Sequence, residues 1–375
     1  MTPPTQASAL VDVEDVRARV DAVLSRHVAQ LRVVLAEASS DSDRLADAVA
    51  QMLSGGKRLR AAFCYWSWRA HGGQSGGPEA DAVIQVGAAL ELFQAAALFH
   101  DDVMDDSDTR RGFPAAHRAF ARLHAEQGLT GDAERFGASA AILLGDLTLV
   151  GSEQEFAGAL VDQPGPRAAK ARAVFDLMRT EVTVGQYLDV LAQALPWGDA
   201  PEADEVRARE VIRAKAARYS VEHPITLGAA LADADERDLA ACRALGLPLG
   251  EAYQLRDDLL GVFGDPITTG KPSGDDLREG KRTVLAARAV ARARAVGDQE
   301  TVTLLRTRLG DRTLTDTDVT QLADAIKATG APEDIEALID QLAGTAFTLI
   351  DARSWPDPAR SQLVGLAHAA VDRRA

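Results

Sequence analysis

The sequence is poor in the residues that cross-link small folds, bind soft metals or build sheets. Only two cysteines occur in 375 residues, Cys64 and Cys242. They stand far apart in helix-like contexts, which argues against a disulfide framework or a thiolate metal site and fits a reducing cytoplasm. Aromatic residues make up 5% of the chain. Alternating apolar runs enriched in β-branched residues are also scarce, so there is no case for a sheet. Cationic residues are outnumbered by acidic ones, 41 to 56, for a net charge of −15. That balance excludes a general nucleic-acid binder or a protein held on an anionic membrane. The N-terminus lacks the basic start and apolar run of a signal peptide. No uncharged apolar stretch reaches the roughly 18 residues of a bilayer span. The nearest, Ala138–Val150, is interrupted by Asp146, so a soluble protein without membrane spans is expected.

What is abundant is small and aliphatic. Hydrophobic residues reach 46%, mostly Ala, Leu and Val, which favours helices packed through small side chains. Residues 1–10 read as a loose tail and 11–375 as one domain. Apolar residues recur at three- and four-residue spacing from Val11 to Gln51, which predicts an amphipathic helix there. A Ser-Gly-Gly break at 54–56 precedes a helix over 57–71, and 72–78 is a loop. Residues 79–105 are nearly free of charge from Ala82 to Phe99; a helix that is apolar on most sides belongs at the centre of a bundle. Further helices are expected at 114–126, 137–160, 167–194, 203–231, 235–262, 281–297, 299–309, 315–329, 332–352 and 357–373. The fold class is therefore all-α, a single large helical bundle.

Charge clusters carry the chemistry. Asp101, Asp102 and Asp105 follow the apolar run and precede Arg110-Arg111-Gly112. Asp101 and Asp105, four apart on a helix, share one face. Like charges at that spacing repel, and an apolar approach raises the cost of ionising them, so a cation should bind; carboxylates on a helix suit Mg²⁺. The arginines that follow match metal-bridged diphosphate recognition. A second acidic pair, Asp257-Asp258, ends another apolar helix after Gln254. It precedes Gly270-Lys271-Pro272 and Asp275-Asp276 to Arg282. Gly55-Gly56-Lys57-Arg58-Leu59-Arg60 offers backbone N–H groups and cations to an anion. Alone, each cluster would equally suit an ordinary solvated helix end.

Together the motifs GGKRLR, DDVMDDSDTRRG, GQYLD, QLRDD and GKPSGDDLREGK closely resemble the isoprenyl diphosphate synthase (trans-polyprenyl synthase) family, from about Gly55 to the C-terminal arginines. The resemblance implies the type I isoprenoid synthase fold around a central apolar cavity. It implies condensation of isopentenyl diphosphate with an allylic diphosphate, with three Mg²⁺ per site. Asp101, Asp102 and Asp105 match the first aspartate-rich motif. Asp257, followed by Asp258, matches the second, with the two clusters facing each other across the allylic diphosphate. Arg110, Lys215, Lys271 and Lys281 correspond to ligands of the allylic diphosphate. Lys57, Arg60 and Arg111 correspond to ligands of isopentenyl diphosphate. Gln186 and Asp189 of GQYLD and Gln254 of QLRDD are expected to line the same cavity. A homodimer is implied as well.

Three positions depart from the family pattern. Gln94 replaces a histidine ligand of isopentenyl diphosphate, and an amide can still donate to phosphate. Gly261 replaces the third aspartate of the second motif and leaves Asp265, Asp275 or water to stand in. Ala216 replaces a threonine beside Lys215. Beneath Asp101 the first turn carries Ala97 and Ala96, where short-product members carry aromatics. Phe93 lies eight residues back, about 12 Å down the helix, and is large enough to close the cavity. A C20 product, geranylgeranyl diphosphate, is therefore expected, with farnesyl or C25 and longer products as alternatives. A terpene cyclase would need a second motif rich in Asn, Ser and Glu. A non-catalytic subunit of a heteromeric synthase would have lost a lead metal ligand, and none is missing.

Overall fold

The computed structural model describes residues 13–198, 200–264 and 274–372. Helices dominate these residues, as the composition predicts. The 11–51 periodicity yields two helices in place of one, α1 (Val16–Ala38) and α2 (Asp43–Leu53). The break is made by serines. Ser39 Oγ accepts from Asp41 N at 3.2 Å, and Ser42 Oγ donates to Leu35 O at 2.8 Å and to Ser39 O at 2.6 Å. Short hydroxyl side chains capture backbone groups that a continuous helix would need.

Backbone proximity divides the chain into two compact units. The first comprises Met1–Val174, Pro224–Ala240 and Ser354–Leu366. Within it, α3 (Leu59–Ala70) carries Phe63, Tyr65, Trp66 and Trp68, each at most 1% exposed. A chain with few aromatics thus concentrates four of them in one buried helix. Gly228, on α9 (His223–Leu231), lets this helix approach: a Cβ there would stand 2.1 Å from Cys64 O.

The centre of the first unit is α4 (Gly77–Met104), which packs on α1, α3 and most extensively on α6 (Ala133–Leu160). Its apolar residues are buried on nearly every side, each large one contributing roughly 1.5–3 kcal/mol. Between Val86 and Phe99 only Gln94, Ala97 and Leu98 are not buried, so a single face stays open on the way to Asp101. By length and composition α4 and α6 are each apolar enough to cross a membrane, although neither is an uncharged run. Here 72% of the apolar window of α4 and 44% of that of α6 are buried within protein. After α4 a two-residue ribbon forms, β1 (Thr109–Arg110) antiparallel to β2 (Phe113–Pro114). It is a small exception to the sheet-free expectation. α5 (Ala116–Glu126) then packs on α6, and Phe136 meets His124 at 5.3 Å between ring centres. Residues 121–136 thus form this helix–helix corner.

The second unit comprises Phe175–His223, Ala241–Arg353 and Ala367–Ala375. It takes most of α7 (Gly165–Ala194), α8 (Pro201–Val211) and most of α10 (Glu236–Phe263). Then follow α11 (Asp275–Glu279), α12 (Val284–Ala295), α13 (Gln299–Arg308), α14 (Asp316–Ala328), α15 (Ala331–Asp351) and the end of α16 (Ala359–Val371). Between α8 and α9 the backbone widens into a π-helix over Ile212–Glu222, where the sequence predicted a plain α-helix. Such wide turns are rare and re-aim the side chains they carry. Two glycines grip this segment. A Cβ on Gly185 of α7 would lie 2.3 Å from Lys215 N, and one on Gly250 of α10 would lie 2.2 Å from Ala217 O.

Candidate active site

The first acidic cluster sits at the C-terminus of α4. Asp105 N donates to Asp101 O at 2.8 Å, so the helical register expected for the pair holds through Asp105. Asp102 and Asp105 are buried and Asp101 is half-buried. Arg110, on β1, turns back onto the cluster. Its Nε donates to Asp102 Oδ1 at 2.8 Å, Nη2 joins the same oxygen, and Nη2 lies 3.5 Å from Asp101 Oδ2. Arg118 of α5 braces the loop by donating to Asp106 (2.9 Å) and Asp108 (3.0 Å).

Arg111 goes the other way. It adopts a left-handed backbone (φ 54°), and Nη1 donates to Met52 O at 2.6 Å and Ser54 O at 3.1 Å. These carbonyls end α2, directly before Gly55-Gly56-Lys57. The absent Cβ of Gly56 would stand 3.7 Å from Arg111 Nη2. Burial is the main cause that holds the Arg111 guanidinium below its usual range, and Glu91 opposes it. Lys57 and Arg60 are half-buried on the same turn, and Gln94 is half-buried on the open face of α4. Two consecutive arginines therefore serve two places: one the aspartates, the other the glycine-rich turn.

The remaining candidates belong to the second unit. The π-helix presents Lys215, whose Nζ lies 2.5 Å from Asp189 Oδ2 on α7, three residues after Gln186. Gln254 Nε2 donates to Asp258 Oδ1 at 2.9 Å. Asp258 is buried, and its carboxyl is pushed up to about 7, by burial first and by Asp276 and Asp257 after it. Asp257, its neighbour, is half-exposed. Lys281 reaches Glu279 at 2.8 Å and Asp276 at 3.3 Å. Lys271 and Asp265 lie outside the described residues.

Asp276 is an acid to which the sequence pattern alone assigns no role. A Cβ on Gly261 would stand 2.0 Å from Asp276 Oδ2. The carboxylate missing at position 261 is thus matched by one arriving from α11, and of the two residues named as stand-ins Asp275 is not the one that reaches there. The signal was present in the sequence as the pair Asp275-Asp276 behind Gly274, but a pattern in sequence does not say which of two neighbours turns inward.

As donors, carboxylates alone suit a hard divalent cation. Among the described residues no three acidic, His or Cys side chains already converge on one metal position. In the first cluster the Arg110 guanidinium holds Asp102. The oxygen donor set has the chemistry of a hard divalent-cation site.

A protein-family model described as polyprenyl synthetase matches residues 42–326. The chain is 32% identical over 317 residues to a geranylgeranyl diphosphate synthase of Mycobacterium tuberculosis, covering 83% of this chain and 80% of that protein. It is 30% identical over 323 residues to an octaprenyl diphosphate synthase of Escherichia coli, covering 85% and 86%. Among solved structures it resembles a geranylgeranyl pyrophosphate synthase from Corynebacterium glutamicum complexed with isoprenyl diphosphate and magnesium. That likeness has a TM-score of 0.88 and 37% identity over 96% of this chain and 98% of that one.

Proposed function

The chain belongs to the polyprenyl synthetase family and is a prenyl-transferring enzyme of isoprenoid biosynthesis, and from that premise we propose that it makes geranylgeranyl diphosphate from isopentenyl diphosphate and an allylic diphosphate. One observation carries the assignment of its two substrate subsites. Arg110 and Arg111 are adjacent in sequence, yet Arg110 lies on Asp101 and Asp102, and Arg111 lies on the turn that carries Lys57 and Arg60. A two-substrate synthase needs this division, with one arginine for the allylic diphosphate and one for isopentenyl diphosphate.

Asp101, Asp102 and Asp105, with Asp257 of the second motif, are the residues that would hold magnesium. Bound there, Mg²⁺ supplies the positive charge that draws electrons onto a departing diphosphate. Arg110, Lys215 and Lys281 neutralise the allylic diphosphate as its C–O bond lengthens. Arg110 leaves Asp102 for the phosphate oxygens, an exchange of one anion for another. Lys57, Arg60, Arg111 and the Gln94 amide pin isopentenyl diphosphate so that its double bond meets C1 of the allylic cation. The proton lost afterwards goes to the released diphosphate. The apolar walls of α4 keep water from the cation.

The C20 product is supported by Phe93, 4% exposed, one turn below Ala97 on α4. A homodimer is supported by the exposed apolar stripe Phe136, Leu143 and Val150, seven residues apart on α6. A cytoplasmic site of action is supported by the low cysteine content, two in 375 residues, which offers no disulfide framework. We take residues 11–375 as one functional domain. Incubation with isopentenyl diphosphate and each allylic primer, with and without Mg²⁺, followed by chromatography, tests the reading. Failure to condense any primer would defeat it.

A further inference from the structure

Two side chains outside the substrate subsites form a buried ion pair beneath the glycine-rich turn. Arg58 and Glu91 are each 4% exposed. Arg58 Nη1 donates to Glu91 Oε2 on α4 at 3.3 Å, Nε to Asp21 Oδ1 on α1 at 2.8 Å, and Nη2 to Leu53 O at the end of α2 at 2.5 Å. One guanidinium thus ties three helices together. A buried ion pair is rarely the most stabilising way to fill such a space, because apolar residues of similar volume do as well or better. Its worth lies in direction, since the planar fork fixes what it bonds.

What it fixes is the turn. Arg58 binds the carbonyl of Leu53, while Arg111 binds those of Met52 and Ser54 on either side of it. Three successive carbonyls are therefore held by two arginines, and both arginines sit in the left-handed backbone region (φ 51° and 54°). Non-glycine residues stay there only where their surroundings hold them. Lys57 precedes Arg58 and Arg60 follows two residues later, so the backbone at 58 decides where both point. Glu91 is also the anion that faces Arg111 and opposes the effect of its burial, and its second oxygen, Oε1, is buried with no hydrogen-bond donor.

We propose that Arg58, clamped by Glu91 and Asp21, is a positioning residue for the isopentenyl diphosphate subsite: it sets the turn that carries Lys57 and Arg60 and onto which Arg111 docks. This rests on the subsite assignment above. Arg58 does not touch the substrate itself; it acts through the three cations that do. Its effect should fall first on one substrate, because the bonds of Arg58 run to Asp21, Glu91 and Leu53 and not to the aspartates of the first motif.

The test is steady-state kinetics of Glu91→Gln and Arg58→Lys with each substrate varied in turn, beside their thermal unfolding midpoints. Glu91→Gln keeps the shape and removes the charge; it should raise KM for isopentenyl diphosphate about tenfold or more while KM for the allylic diphosphate stays within about twofold. Arg58→Lys keeps the charge but loses the fork, and should give the same one-sided change at a smaller size. Calorimetric titration with isopentenyl diphosphate alone should show the same weakening. Asp21→Asn, at the outer edge of the network, provides a milder variant if Glu91→Gln fails to fold. A lowered midpoint with both KM values unchanged would reduce Arg58 to a structural tie and overturn the inference, leaving the synthase reading intact. A wild-type enzyme that condenses nothing would overturn both.

Discussion

Gly261 and Asp276 compete for one volume, since a Cβ on the glycine would stand 2.0 Å from Asp276 Oδ2. The missing side chain of the second aspartate motif is thus a vacancy that another element fills. Gly274 is left-handed (φ 77°) and begins the short helix α11, which turns Asp276 toward α10. The same carboxylate takes Lys281 at 3.3 Å, and so draws an expected diphosphate ligand toward the second motif.

Restoring the family aspartate should therefore harm the enzyme. Gly261→Asp is expected to lower kcat/KM about tenfold or more, because the new side chain expels Asp276 and releases Lys281. Gly261→Ala should do the same to a lesser degree, since the Asp276 carboxylate must still move aside, with a stability change of up to about 1–3 kcal/mol. Asp276→Asn should raise the Mg²⁺ concentration needed for half-maximal rate. Magnesium titrations of the three variants decide the point, and a gain of activity in Gly261→Asp would refute it.

The first motif should divide by role. Asp101→Asn and Asp105→Asn remove carboxylates from the expected metal face and should each cost at least about a hundredfold in kcat/KM, with a chelator abolishing the wild-type rate. Asp102→Asn carries a second penalty. Asp102 is 0% exposed and bonded to Arg110, so its loss leaves the guanidinium on the longer contact to Asp101 at 3.5 Å, at a cost of about 1–3 kcal/mol. Unfolding midpoints in the absence of ligand should fall for Asp102→Asn and stay near the wild-type value for Asp101→Asn.

These contrasts show where sequence reading succeeds and where it stops. The helix α4 was legible because its lack of charge requires burial, and Asp101 with Asp105 because helical spacing fixes their relation. The roles proposed for Arg110 and Arg111 rest on resemblance; that the two side chains diverge goes with the left-handed backbone at Arg111, which no residue pattern announces. The split of 11–51 was missed because apolar periodicity runs through it while Ser39 and Ser42 act on the backbone. The π-helix at Lys215 depends on close approach by Gly185 and Gly250, contacts made over long separations in sequence. Asp276 and Glu91 receive no role from the pattern for the same reason: their partners lie 15 and 33 residues away, Gly261 and Arg58.

A cluster beside the π-helix makes stability depend on pH. Glu181 Oε2 lies 2.7 Å from His223 Nε2, and Arg218 also bonds Glu181. The His223 hydrogen bond is the largest cause that holds the Glu181 carboxyl below its ordinary value of 4.5. A depressed carboxyl binds fewer protons folded than unfolded. Its contribution is therefore complete above the unfolded value and lost as pH falls through the folded one. Glu181→Gln should cost about 1–3 kcal/mol near neutral pH, and the gap to wild type should close as pH drops below about 4. Thermal unfolding of both proteins across that range tests it; a gap that is constant with pH would show that the ionised carboxylate is not what matters.

Product length is the sharpest consequence of how α4 packs. Of the two small residues under Asp101, Ala96 is fully buried while Ala97 lies on the open face with Gln94 and Leu98. The growing chain should therefore pass Ala97 and meet Phe93 one turn lower. Phe93→Ala should extend the product beyond C20, and Ala97→Phe should shorten it toward C15. Truncating a buried phenylalanine costs about 3–5 kcal/mol, so Phe93→Leu, which keeps more of the packing, is the cleaner variant and should still admit part of a further isoprene unit. Chromatography of dephosphorylated products with saturating isopentenyl diphosphate gives the length distribution. If Phe93→Ala folds and its products stop at C20, the floor of the cavity lies elsewhere. If Ala97→Phe still makes C20, the chain does not run along this face at all.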